Sequence, residues 1–395
     1  MTRSSIALGN LRGVVIVIVL GFHSMLAYLA SLPAATGRFD SPPYRWQAIP
    51  IVDSQRWLGF DIFCAWQDVS LMSLMFFLSG LFVPASLARK GARTFLSDRL
   101  LRIGLPFVLA VALLMPLAYY PVYRVTALDP GLEAYWRQWM ALPFWPCGPQ
   151  WFLWQLLVLN FFAAGLYRFC PRGGDALGRL AGFGRSRPLW FFLGLVAVSA
   201  AAYVPLAVAH TPWTWTNYGP FALQLSRPLH YFVYFFAGFA IGAYGLERGL
   251  LAIDGPLARH WLRWLAVAVG GFALWALPTS ATLEARDTAP PALAIAAGVG
   301  FAFACAGGCF FLIAACLRFA SERSRMLDSL SVNAYGMYLI HYVFIVWLQF
   351  ALLDMTLSAF GKAAIVFVGT LAMSWALAAA FGGVSLGTHL VGAKR

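Results

Sequence analysis

Charge is what this chain has least of. Only 11% of its 395 residues are charged, and just 15 of them are Asp or Glu. A soluble domain carries roughly a quarter charged residues, so a fold surrounded by water is excluded. Cysteine is scarce as well: there are 6, with no Cys-x-x-Cys among them, which excludes a disulfide scaffold, a zinc ribbon and a thioredoxin-type motif. No spacing of His, Cys, Asp and Glu fits a metal site, so no metal is expected. Ser/Gly linkers, charge blocks and internal repeats are missing, and no two halves match in the way many carriers do. Segments between the apolar runs are short. The longest, 33–68 and 124–148, cannot build cores of their own, which leaves one domain over 1–395 and no soluble appendage.

Long hydrophobic runs are there instead, in a chain that is 61% hydrophobic. Ten windows are read as spans: 13–32, 69–88, 103–123, 149–169, 189–209, 228–245, 261–279, 290–317, 331–352 and 362–385. Each is near the roughly 20 residues a helix needs to cross a bilayer. The expected fold is all-α, a polytopic integral membrane helical bundle of about ten transmembrane helices. Most of the 28 Lys and Arg fall in alternate loops, including Arg89, Lys90, Arg93, Arg99 and Arg102, then Arg168, Arg172 and Arg179. The positive-inside rule therefore places both termini in the cytoplasm, and the basic balance needs no nucleic-acid partner. The first span is read as a retained helix, because its apolar run is long for a signal peptide and nine more follow. The apolar segment 57–68 is too short to cross and is read as lying along, or re-entering, the outer surface. Cys64 and Cys147 fall near that outer face, where an oxidising compartment could join them.

Ionisable groups inside a bilayer are functional candidates by default. His23 lies about 18 Å into its span at the rise of a helix. Arg12 precedes it by eleven residues, almost three full turns, so both side chains share one face. Arg99 and Arg102, three apart, are neighbours just inside the cytoplasmic edge. "GPQWFLWQLLVLN" (148–160) opens a span with Trp151 and Trp154, as interface anchors do. "SLSVNAYGMYLIHYVF" (329–344) buries a second histidine, His341, with Tyr338 at i−3, and Asn333 and Tyr335 further back. Each feature alone also fits a bland reading: a histidine bonded across helices, arginines placed by charge bias, tryptophans in a belt.

In register they resemble one family, the membrane acyltransferase family 3, which includes polysaccharide O-acetyltransferases and glucan succinyltransferases. The matching residues are Arg12 and His23, Phe77 to Gly80 in "FFLSG", Arg99-Leu-Leu-Arg102, "WFL" at 151–153 and "YGMYLIH" at 335–341, across nearly the whole chain. Two positions depart from the pattern: Pro149 stands where many relatives have His, and Ala334 where many have Ser.

The resemblance implies a single integral-membrane acyltransferase domain over 1–395 in a bacterial inner membrane. It would have no bound cofactor and would use acyl-CoA as co-substrate, with a glycan or glycolipid hydroxyl as acceptor. The acyl group would be acetyl or succinyl. Arg12, Arg99 and Arg102 would hold the donor phosphates. His23 would act as general base or acyl carrier, with His341 as orienting group or relay. Tyr338 and Ser79 would be oxyanion donors. Asp68, read as close to the start of the second span, and Trp151 would meet the acceptor, and a separate periplasmic protein could perform a second step. A transporter or flippase with a His/Tyr proton relay is the alternative; a catalytically idle assembly factor is a third.

Overall fold

The computed structural model describes residues 2–285 and 290–382. Ten long helices carry it: α1 (Arg3–Met25), α2 (Leu58–Leu81), α3 (Val83–Thr126), α4 (Trp151–Phe169), α5 (Pro188–His210), α6 (Pro228–Tyr244), α7 (Trp261–Ala285), α8 (Pro291–Phe319), α9 (Arg325–Ala351) and α10 (Ala359–Gly382). All but α6 belong to the 9 helical segments that, among the described residues, are long and apolar enough to cross a membrane. At 17 residues, α6 sits at the short end of the crossing range. Hydrocarbon offers the backbone no hydrogen-bond partner, so apolar windows must satisfy N–H and C=O internally and become helices. Prolines at the first turn of α5, α6 and α8 (Pro188, Pro228, Pro291) start them where no intrahelical N–H is required. Among the described residues the only sheet is one hairpin, Trp215–Tyr218 antiparallel to Phe221–Gln224, in register Trp215 to Gln224.

The most buried helices are α1, α2, α8 and α9, while α5, α7 and α10 lie at the rim. α2 and α6 meet backbone to backbone. A methyl group at Gly80 would collide with the Phe235 carbonyl, and one at Gly238 with the Phe77 carbonyl. Small residues let helices approach this closely without a hydrophobic driving force, which gives the glycine of "FFLSG" a packing reason.

α3 is the irregular member. Gly91 breaks it at φ 72°, and two π-helical turns follow, Leu100–Gly104 and Ala110–Leu114. Pro106, Pro116 and Pro121 cannot donate to the preceding turn, which frees carbonyls. Side chains take them. Tyr335 donates to Arg102 O at 2.7 Å, Trp145 Nε1 to Val111 O at 2.9 Å and Trp347 Nε1 to Leu117 O at 2.9 Å.

Residues 26–57, 127–147 and 211–227 gather at one end of the bundle, the loop-rich end. The start of α1, the 82–102 turn and the start of α9 form the opposite, basic end. At the loop-rich end Lys362 of α10 pairs with Asp53 at 2.7 Å, both side chains fully buried. Removing one partner of such a pair costs about 3–5 kcal/mol, so the pair fastens the 51–57 segment to the last helix.

Several span boundaries differ from the sequence reading. The first helix runs from Arg3, not 13. His23 therefore sits in its last turn, at the loop-rich end, and His341 lies past the middle of α9. Segment 57–68 does not lie on the surface: from Leu58 it is the first half of α2. Its acids are neutralised in place. Asp61 accepts from the Ala30 and Ser31 N–H groups, and Asp68 pairs with Arg227. Asp68 is thus in the interior of α2, not near its start. Trp46 and Trp139, in loops outside the predicted spans, are 0% and 1% exposed and belong to a core at the loop-rich end. Cys64 and Cys147 are free thiols bonded to the carbonyls of Phe22 and Gly148. Burial pushes Cys147 up to about 12, so it stays a thiol. The last residues of the 362–385 span, 383–385, lie outside the described residues.

Candidate active site

One face of α1 carries Arg12, Val15, Ile16, Val19 and His23, the i, i+3, i+4 stripe of a helix. Arg12, Val15 and Ile16 form one wall of a cavity of about 330 Å³. Ser79 of α2, Arg99 and Arg102 of α3, Phe152 and Asn160 of α4, and Tyr335 and Tyr338 of α9 line the rest. Five elements distant in sequence thus converge, and the three arginines meet as the sequence spacing suggested. None of them forms an ion pair among the described residues. Three guanidinium groups beside one cavity form a site for a polyanion, since the planar fork binds phosphate oxygens bidentately.

The lining ends at Tyr338. Its ring is 5.7 Å from that of His341, and the His341 ring is 5.1 Å from that of His23. The two histidines are therefore neighbours, on helices more than three hundred residues apart. His23 Nδ1 lies 2.9 Å from Val19 O, and His341 Nδ1 lies 2.6 Å from Tyr338 O. A carbonyl only accepts, so Nδ1 carries the proton in both neutral rings and Nε2 keeps its lone pair. His341 Nε2 is buried and has no hydrogen-bond partner. Two fixed imidazoles whose Nε2 atoms keep their lone pairs can accept a proton, pass it on, or take an acyl group.

The hydroxyls expected to stabilise an oxyanion are engaged elsewhere. Tyr338 donates to Pro149 O, and Ser79 to Met75 O at 2.8 Å. The Pro149 carbonyl occupies the side of the site where relatives were expected to place a histidine. That turn is closely fitted: Gly148 has φ 49°, and a Cβ there would meet Met115 Sδ at 2.8 Å and the Tyr342 ring at 3.2 Å. Gln150 Nε2 clasps it to Leu339 O at 3.0 Å.

Asp68 and Trp151 are not brought to this cavity. The Asp68 carboxylate is gripped by both Nη atoms of Arg227, which is 3% exposed, and Arg227 Nη1 reaches Tyr231 OH at 3.4 Å. Trp151 stacks on Tyr231 at 5.8 Å and 22°. Phe76 and Phe152, 4.7 Å apart, stand between this cluster and the cavity. Sequence reasoning passed over Arg227, although a cation in the otherwise uncharged run 211–229 was a signal. It also passed over Asn160, whose Oδ1 is buried without a partner on the cavity wall.

The family model described as "Acyltransferase domain", that of acyltransferase family 3, matches residues 5–379. No curated protein and no solved structure matches the chain.

Proposed function

Since the chain belongs to the acyltransferase 3 family and is a multi-pass membrane protein with 9 candidate spans among the described residues, we propose that it acylates a glycan or glycolipid hydroxyl across a bacterial cytoplasmic membrane. The donor is acetyl- or succinyl-CoA, bound at the basic end, which faces the cytoplasm. The acceptor arrives at the loop-rich end. One observation carries this reading: three arginines line a cavity that runs toward a pair of neighbouring histidines. A carrier has no comparable need for a phosphate-binding trio.

Arg12, Arg99 and Arg102 hold the coenzyme A phosphates, and the pantetheine arm follows the α1 face past Ile16. His23 Nε2 takes the proton of the acceptor hydroxyl as its oxygen attacks the thioester carbonyl. The C–S bond then breaks, and the leaving sulfur recovers a proton from His23. In the two-step variant the imidazole attacks first and carries the acyl group to the acceptor. His341 fixes the ring of His23 and is the nearest proton relay. Tyr338 and Ser79 serve the oxyanion only after releasing Pro149 O and Met75 O.

The test is transfer of labelled acyl groups from acyl-CoA by purified protein to envelope glycans. His23→Ala is expected to lose about 100-fold to 10,000-fold in kcat, the usual contribution of a general base. Label retained on the wild-type protein would select the acyl-histidine route. A His23→Ala protein that is folded and as fast as wild type removes His23 from the chemistry.

A further inference from the structure

His23 stands in the last turn of α1, half-buried, toward the loop-rich end. A column of rings rises from it toward that end. The Tyr342 ring is 5.7 Å from His23, Tyr119 is 5.8 Å beyond, Trp46 is 5.2 Å from Tyr119, and Phe39 stacks on Trp46 at 4.5 Å and 9°. The lower rings belong to α9 and α3. The upper two, 1% and 0% exposed, belong to the loop between α1 and α2.

That loop is fastened at its base and barely along its middle. Asp53 is locked to Lys362, and Arg56 donates to Leu32 O at 2.5 Å and Pro33 O at 2.6 Å. Between them, among the described residues, one hydrogen bond joins segment 34–50 to the rest of the protein: Tyr119 OH to Gln47 O, 2.7 Å. The remaining ion pair, Arg38 with Asp40, is internal to the segment. Tyr44 is held at φ 49°, a left-handed conformation that a side chain resists. Apart from that one bond, ring packing keeps the segment down.

The chemistry under it is that of a binding surface. Tyr28 OH, Trp46 Nε1 and Trp139 Nε1 are buried with no partner, all in this one aromatic cluster. Each is a donor. A purely apolar plug would lose nothing with phenylalanine in those places, whereas unpaired buried donors destabilise it. Ring faces with inward donors are what a neutral sugar requires: its C–H faces lie on the rings, and its oxygens accept from indole and phenol.

We infer that segment 34–50 is a plug seated in the acceptor site, and that a neutral saccharide unit takes the places of Phe39 and Trp46 above Tyr119 and Trp139. The inference rests on the acyl-transfer reading, in which the acceptor must reach His23 from this end. It names which surface receives the acceptor and what must move first.

The experiment bridges the plug shut. Tyr44 and Phe144, rings 5.1 Å apart, are replaced by cysteine in a Cys64→Ala, Cys147→Ala background and joined by a short bis-methanethiosulfonate. Binding of a linear glucose oligosaccharide of about five units is measured before bridging, after it, and after reduction. Bridging should weaken binding at least tenfold, reduction should restore it, and coenzyme A binding should stay constant throughout. In the unbridged protein Trp139→Phe, which keeps the ring and removes the donor, should weaken saccharide binding about fivefold. Binding that is absent before bridging, or unchanged by it, overturns the proposal. The acyl-transfer reading fails separately: bridge-sensitive saccharide binding without acyl transfer would sink that reading alone. Transfer that proceeds equally fast in bridged protein would sink the plug alone.

Discussion

Two carbonyl oxygens, of Val19 and Tyr338, decide which nitrogen each histidine presents to a reaction. Both belong to residues one helical turn earlier, so the tautomers follow from helix geometry and needed no remote partner. This is why His23, His341 and their alignments with Arg12 and Tyr338 were legible in the sequence: periodicity within one helix places them. Meetings between helices were legible only through the family resemblance. Asp68 was misjudged for the same reason, because its partner Arg227 is 159 residues away. At this scale Arg102→Ala should raise KM for acyl-CoA at least tenfold, given about 1.5–3 kcal/mol for a hydrogen bond to a charged group. KM for the matching acyl-pantetheine, which lacks the nucleotide phosphates, should hardly change. Steady-state kinetics on both donors decide it, and an equal loss on both would remove Arg102 from phosphate binding.

The elements were legible as apolar windows, but their ends were not. α2 was cut short because Asp61 and Asp68 look like surface residues, and only their tertiary partners make them tolerable inside the bundle. α3 was cut short because basic residues and Gly91 interrupt its first half. The α2–α6 contact yields a direct test. Gly238→Val should lower the melting temperature and the yield of assembled protein, since overpacking costs about 1–3 kcal/mol or more and the obstacle here is backbone. Gly165→Ala in α4, where an added Cβ meets nothing within 4 Å, should be neutral or slightly stabilising. Thermal unfolding in detergent compares them. A Gly238→Val protein as stable as Gly165→Ala would mean that the helices part more easily than their contact implies.

For the whole molecule, the helical membrane architecture was plain from hydropathy, and the proposed orientation comes from the distribution of Lys and Arg. Cys170, exposed after α4 at the basic end, is a built-in reporter. A membrane-impermeant maleimide should leave it unlabelled in intact cells and label it in inverted vesicles, while Asn217→Cys in the hairpin should do the opposite. The reverse pattern would turn the protein, and the proposed donor side, around. What the sequence could not reveal is the outer aromatic core, because Phe39, Trp46 and Trp139 carry no periodicity that separates a plug from a belt.

The proline-freed carbonyls of α3 also bear on how the chain is made. Arg102 O and Leu117 O take their donors from Tyr335 and Trp347, 233 and 230 residues downstream. At roughly 5–20 residues per second, the ribosome needs on the order of ten to fifty seconds to supply them. Throughout that interval the Leu117 carbonyl is in the bilayer without its donor, and lipid cannot supply one. Completion of α3 therefore waits for α9. A nascent chain that stalls before α9 keeps that acceptor open.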